Sequence, residues 1–481
     1  MKRLVSILML AALLLSLAAC GATGNETTEP LTDPSGQQLL GNFAIPEVGY
    51  DGSEVTIKFG HTMGAKLQEV LNYHIGEFNK LFPNITVEHS SYGGWSDIAG
   101  LINTEIMGDN QPNIAYCYPD HVAMYNKSKS TVILDDLIAS QIEVTHEDGT
   151  TEVLGLTAEQ IDDFIDGFYN EGKAYGDGLM YTMPLSKSTE VLYYNKTFFE
   201  ANGLTVPESW EEMEALCKKI LEIDPSCIPL GYDSEDNLFI TMCEQNGYDY
   251  TTASGEDHYL FNNDNCKSFA KMFRDWYQAG YITTEALYGS YTSGLFTELD
   301  KTVSHSYMCI GSSGGASYQI PEGNAFEVGV APIPQVNENN QKVISQGPSL
   351  CILKGGKTTD QQVVASWLFV KYLTTNMAFQ TEFSSTSGYM PVLESAQDNE
   401  IYANWLAKAN GTEFLTALVV KVGLEEADTY FTSPAFVGSS VARTQVGALL
   451  AKCMSESTND VDSLINDAFQ KAWEECDFLG G

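Results

Sequence analysis

The sequence predicts an α/β protein of two lobes, each a mostly parallel sheet flanked by helices, with a ligand cleft between them. Three observations predict it. Strand-like and helix-like segments alternate from Glu54 to Pro119, the pattern of a parallel sheet covered on both faces. Residues 54–481 are too many for one compact core. The extended segment from Leu179 to Leu204 breaks at Pro184, crosses a Ser/Thr-rich patch and resumes at Val191, as a strand does on passing between lobes.

Glu54–His61 reads as a buried strand, Ala65–Phe82 as an amphipathic helix and Asn84–Ser90 as a second strand. A helix from Asp97 to Met107 and a strand from Asn113 to Pro119 complete the first unit. A polar hairpin around His146 to Thr151 precedes a helix from Thr157 to Glu171, whose Thr157 and Gln160 have capping-box spacing. Val191–Tyr194 is the resumed strand and a helix follows Asn195. Glu211–Ile223 forms a helix ending before Pro225, and Asn265–Ala279 carries a core stripe of Phe269, Met272, Phe273, Trp276 and Tyr277. A strand from Thr302 to Ile310 runs into glycine-rich Gly311–Ala316, where another helix should start. Phe326–Ala331 leads into a second crossing. Helix Gln361–Thr374 leads to a third near Ala378, and the remainder is helical apart from a loop at Ser433–Ser440.

The N-terminus reads as an export signal: Lys2 and Arg3, an apolar run from Leu4 to Leu15 too short to span a bilayer, then Leu17-Ala18-Ala19-Cys20. That ending resembles the bacterial lipobox, which implies cleavage before Cys20 and acylation of Cys20, hence anchoring of the chain to a membrane. Residues 20–53 read as the lipidated cysteine and a flexible tether. The formal net charge of -39 excludes nucleic acid and anionic surfaces as partners. Ten cysteines occur without CxxC pairs. The nine after Cys20 sit singly, several in apolar runs, and read as buried free thiols rather than a disulfide framework or zinc site.

Gly311-Ser312-Ser313-Gly314-Gly315 matches the nucleophile elbow G-x-S-x-G, but all seven histidines precede Ser313, so the order of a hydrolase triad fails. The glycine-rich turn reads instead as backbone N–H groups offered to a ligand oxygen. Gly356-Lys357-Thr358 lacks the first glycine of a phosphate loop, and no HExxH or metal-spaced cluster is present. Neither metal nor cofactor is expected. Sugar recognition needs flat aromatic faces and a few planar polar groups. In parallel sheets ligands sit off the carboxyl ends of strands. The loops around His61, Tyr92 to Asp97 and Tyr118 to His121 are therefore the candidates. Trp95 would stack on a ring, with Tyr92 beside it, and Tyr118 and Asp120 would stack and accept hydroxyl hydrogen bonds.

The segment PLSKSTEVLYYNK (Pro184 to Lys196), followed by a helix and VPESWEEMEALCKKI, resembles the family 1 solute-binding proteins of carbohydrate ABC transporters, nearest to their glycerol-3-phosphate-binding branch. FGHTMGA, GNAFEVGVAPIPQ, SQGPSLCIL, SGYMPV and SPAFVGSSVARTQVGALL agree and follow in the family's order. The resemblance implies the class II periplasmic-binding-protein fold, with one lobe of residues 54–186 plus 333–378 and another of 187–332 plus 379–481. It also implies that Ser188, Ser312 or Ser313, Gly347, Tyr389 and Arg443 line the cleft. Two departures are Trp95, where the phosphate-binding branch has Tyr, and Pro119-Asp120, where it has Glu. The implied function is an extracellular, lipid-anchored, monomeric binding protein that delivers a carbohydrate to an ABC permease. A glycerol 3-phosphate ligand is the alternative, and a secreted glycosidase or esterase the rival class.

Overall fold

The computed structural model describes residues 38–480 apart from residue 176. The signal segment and Cys20 lie outside the described residues. The first unit runs β1 (Val55–His61), α1 (Ala65–Leu81), β2 (Ile85–Ser91), α2 (Trp95–Met107) and β3 (Ile114–Cys117), then α3 (Pro119–Asn126) and, much later, β4 (Met183–Pro184). The second lobe follows with β5 (Glu190–Asn195), α4 (Trp210–Ile223), β6 (Leu230–Tyr232), α5 (Glu235–Asn246), α6 (Asp264–Gln278), β7 (Ile282–Thr284), β8 (Met308–Ser312) and β9 (Val328–Ala331). The chain then returns as β10 (Ser349–Ile352), α7 (Asp360–Thr375) and α8 (Met377–Ser387), and ends in α9 (Leu415–Glu425), α10 (Ser439–Ser455) and α11 (Val461–Gly480).

The first sheet has the order β2-β1-β3-β10-β4 and the second β7-β6-β8-β5-β9. The two orders are equivalent: a strand–helix–strand unit pairs in parallel, and one strand arriving from the other lobe, β10 or β5, runs against its neighbours. The carboxyl ends of the parallel strands thus face the gap between lobes, where residues just past each strand become available to a ligand.

Each lobe has its own core. In the first, Val70, Leu71 and Phe78 of α1 pack with Ile57, Phe59 and Ile85, because residues three or four apart share one helix face. The second gathers Trp210, Phe239, Phe269, Phe273 and Trp276. Three expectations change. Phe379, Phe383, Met390, Val392 and Tyr402 lie in the first core, whereas a boundary at 378 assigns them to the second lobe. The expected tether ends before residue 53: Phe43 and Ile45 are buried in the first core, and the Asn42 amide donates to the Thr131 carbonyl at 2.7 Å. The expected helix 157–171 divides into Ala158–Asp162, Asp166–Asn170 and a short turn, Glu171–Lys173, because Ile165 is extended and donates its N–H to Val392 O at 2.9 Å. The capping box at Thr157 is nevertheless formed. No helix among the described residues is long and apolar enough to cross a membrane.

Candidate functional site

Alternation along β3 points Tyr116 and Tyr118 the same way. Trp95 is the first residue of α2, whose N-terminus is closed by Asp97 accepting from the Gly94 N–H at 3.2 Å. That start lays the indole over both tyrosines: its centroid is 4.4 Å from that of Tyr118 at an interplanar angle of 17°, and 5.9 Å from Tyr116 at 12°. Trp95 therefore stacks on β3 rather than on its own helix, and stays half-buried. Tyr389 reaches the same place from the segment after α8. Its ring covers Gly314, where an added Cβ would come within 2.7 Å of it. Burial pushes the Tyr389 phenol up to about 12, partly opposed by the indole N–H of Trp95 donating toward its oxygen.

The polar side of the cleft is built across the lobes. Asp120 follows β3 in the first turn of α3, and Arg443 stands one turn into α10. Gly447, one turn further, lets α10 approach α5 closely: an added Cβ would lie 3.2 Å from Asp236 N. Arg443 thereby donates to Asp236 Oδ2 at 3.0 Å and to Asn237 Oδ1 at 2.6 Å, while its Nε lies 3.7 Å from Asp120 Oδ2. Burial would lower the guanidinium, but Asp236 and Asp120 more than offset this and raise it. Asn237 passes the contact on, donating to Glu190 Oε1 at 3.0 Å, and Tyr232 donates to Glu190 Oε2 at 2.5 Å. Burial pushes Glu190 up to about 8 despite those two donors. Around this network burial also raises Asp233, which accepts from the Thr292 N–H and hydroxyl at 2.6 and 2.7 Å. Glu285 is pushed up to about 7 by burial, with Asp233, Glu235 and Asp236 adding to it.

The structure thus brings together Trp95, Tyr118, Asp120, Tyr389 and Arg443. Ser312 caps the segment Ser313–Gln319 by accepting from the Gly314 N–H at 3.2 Å; the helix expected to start here is a 3-10 helix. The others are placed elsewhere. Tyr92 lies over Gly60 and donates to Glu105 at 2.8 Å, away from the indole. Ser188 is buried in a two-bond backbone pair with Gln346 in the crossings. Gly347 is a structural necessity there, with φ of 98° and an added Cβ only 2.7 Å from Ser186 O. Ser313 is buried, its hydroxyl accepting from the Thr189 N–H at 3.3 Å. His61 is buried against His89, with nitrogens 2.8 Å apart. Asp233, Asp236, Asn237 and Glu285 were missed. The signal was present: Ser234 caps an acid-rich helix directly after β6, the position Asp120 occupies after β3.

Residues 75–410 match the family model described as bacterial extracellular solute-binding protein, and the chain belongs to that family. Among curated proteins, the sn-glycerol-3-phosphate-binding periplasmic protein UgpB of Escherichia coli K12 is 23% identical over 358 residues, covering 71% of this chain and 75% of its own. Among solved structures, UgpB from Mycobacterium tuberculosis in complex with glycerophosphocholine aligns with a TM-score of 0.69 at 18% identity over 88% of this chain and 99% of its own. The GacH receptor of Streptomyces glaucescens, solved unliganded and with acarbose, aligns with a TM-score of 0.67 at 16% identity over 87% and 98%. The fold is the two-lobed class II periplasmic-binding-protein fold expected from the sequence.

Proposed function

We propose that the chain is the lipid-anchored, extracellular substrate-binding component of an ABC importer, and that its ligand is a neutral carbohydrate. The fold, the family and the relatives support a solute-binding role; the site supports the choice of ligand. The observation that carries that choice is the state of Arg443. A phosphate ester would use its fork of donors, but Nη1 is spent on Asp236 and Asn237 and Nε lies 3.7 Å from Asp120 Oδ2. An anion arriving at Arg443 would therefore meet carboxyl groups already beside it, with Asp233 and Glu285 adding more nearby. A neutral sugar fits the same surface: C–H faces against the Trp95–Tyr118 stack, hydroxyls to the carboxyl groups. No covalent step is needed, and Ser312 and Ser313 both have their hydroxyls engaged with backbone N–H groups. A thermal-shift screen over monosaccharides, trisaccharides, polyols, sn-glycerol 3-phosphate and glycerophosphocholine tests the reading. Neutral sugars should raise the melting temperature. A shift by sn-glycerol 3-phosphate alone would replace the sugar with a phosphate ester, and no shift by any solute would remove the binding role.

A further inference from the structure

A cavity of about 440 Å³ lies beside the crossings, lined by Phe168, Glu171, Ser345, Tyr430, Thr432 and Ser433 among others, with Trp95 and Tyr118 not in its wall. Its one carboxylate, Glu171, is 6% exposed. Glu171 Oε1 accepts from Lys187 Nζ at 2.5 Å, in the crossing between β4 and β5. Among the described residues Oε2 meets only the hydroxyls of Ser345, in the crossing between β9 and β10, and of Thr432, each at 3.4 Å. Thr432 directly follows the short strand Tyr430–Phe431, which pairs with Val343–Ile344. A good O–H···O⁻ bond is about 2.5–2.7 Å, so Oε2 is a buried acceptor with capacity to spare. The Ser433 hydroxyl beside it is shielded and has no partner among the described residues.

We infer that this cavity is a second subsite for a neutral polyhydroxyl unit, a sugar ring or polyol, whose hydroxyl donates to Glu171 Oε2. This rests on the solute-binding reading and extends it to a place nearer the hinge. Charge selects the class. Lys187 is fully buried and spent on Glu171, so a cation would face its ammonium without a free carboxylate, and an anion would face Oε2. A neutral donor meets neither penalty. Phe168 and Tyr430, stacked at 5.8 Å and 21°, give the wall an aromatic component, and the volume falls in the usual range of about 300–1,000 Å³ for small-molecule sites. Because Glu171 touches both sheet-to-sheet crossings, a hydroxyl bound there acts on the segments that bend when lobes close.

The test is calorimetric titration of the full-length protein with maltotriose and with raffinose, for wild type, Gly167→Trp, Glu171→Gln and Trp95→Ala. Gly167 lines the cavity, is exposed, and an added Cβ there meets nothing within 4 Å, so a Trp introduced at the cavity wall has room at its base. Glu171→Gln leaves Lys187 unpaired, so Gly167→Trp carries the result if that variant unfolds. The expected result is a loss of about tenfold or more in affinity for Gly167→Trp at an unchanged melting temperature, with a similar loss for a folded Glu171→Gln. Wild-type affinity in Gly167→Trp together with loss in Trp95→Ala would overturn the subsite and leave the solute-binding reading standing. No binding of either trisaccharide to wild type, with no shift in the wider solute screen, would overturn both.

Discussion

On the proposed reading, two side chains would define what the cleft selects. Trp95 offers a plate already fixed by its stack on Tyr118, so a sugar meets it without ordering it. Trp95→Ala should weaken sugar binding by about 10- to 100-fold, as loss of a buried aromatic contact does. Arg443→Gln should weaken it by less than about tenfold, since the guanidinium is held by Asp236 and Asn237; calorimetry on the same sugar decides between them. Equal losses would mean that Arg443 touches the ligand. Glu190 gives a pH prediction. Its folded pKa of about 8 lies above the ordinary 4.5, as does that of Glu426, also pushed to about 8 by burial. Such groups contribute stability that is complete below the unfolded value and is lost as pH rises through the folded one. The histidine His61, lowered to about 4 by burial and by His89, works the other way, but only below its ordinary 6.5. Between pH 6.5 and 8, then, the carboxyl groups act without that opposition. The melting temperature should fall across this window, and Glu190→Gln should flatten the fall.

At the scale of elements, the crossings are packed tightly enough that one glycine is required. Gly347 has φ of 98° and its missing Cβ would lie 2.7–2.9 Å from Ser186 O, Lys187 Cα and Ser188 N. Gly347→Ala should cost about 1–3 kcal/mol from backbone conformation, plus the clash. Gly255→Ala is the control: its φ is 87° but nothing lies within 4 Å. Chemical denaturation of both separates strain from clash, and equal losses would show that the crossings yield. Strands, helices and the crossing at Pro184 were legible because their signals are local: Val55, Ile57 and Phe59 alternating with Thr56 and Lys58 in β1, the 3.6-residue period in α1, a proline between extended runs. The division of the expected helix at Ile165 was not, because its cause is a carbonyl at Val392 far along the chain. The burial of Phe43 and Ile45 was hidden the same way, in a stretch whose composition reads as a tether. The site divides along this line. The placement of Trp95, Tyr118 and Asp120 shortly after strands was legible, because it follows from sequence order. The acid-rich start of α5 after β6 is a local signal, but the pairing of Asp236 with Arg443 is not, because it depends on Gly447 letting α10 pack on α5 some two hundred residues later.

For the whole molecule the consequence is a polar contact that spans the gap the ligand must enter. Arg443 belongs to a helix packed on the second core, Asp120 to a turn on the first sheet, and their 3.7 Å approach joins the lobes at the cleft. The two side chains are 28% and 13% exposed and stand beyond hydrogen-bond reach, so the pair is worth on the order of 1 kcal/mol, too little to hold the lobes shut alone and enough to bias a hinge whose states differ by little. Asp120→Asn should therefore lower sugar affinity only about two- to fivefold by this route. It should also raise the radius of gyration in solution scattering without sugar, while saturating sugar restores the compact value. A double-mutant cycle of Asp120→Asn with Arg443→Gln should return a coupling of about that size. Full additivity would show that the two side chains act on the ligand independently, and the closing contact would then have to be sought along the crossings, where Glu171 ties Lys187 to Ser345.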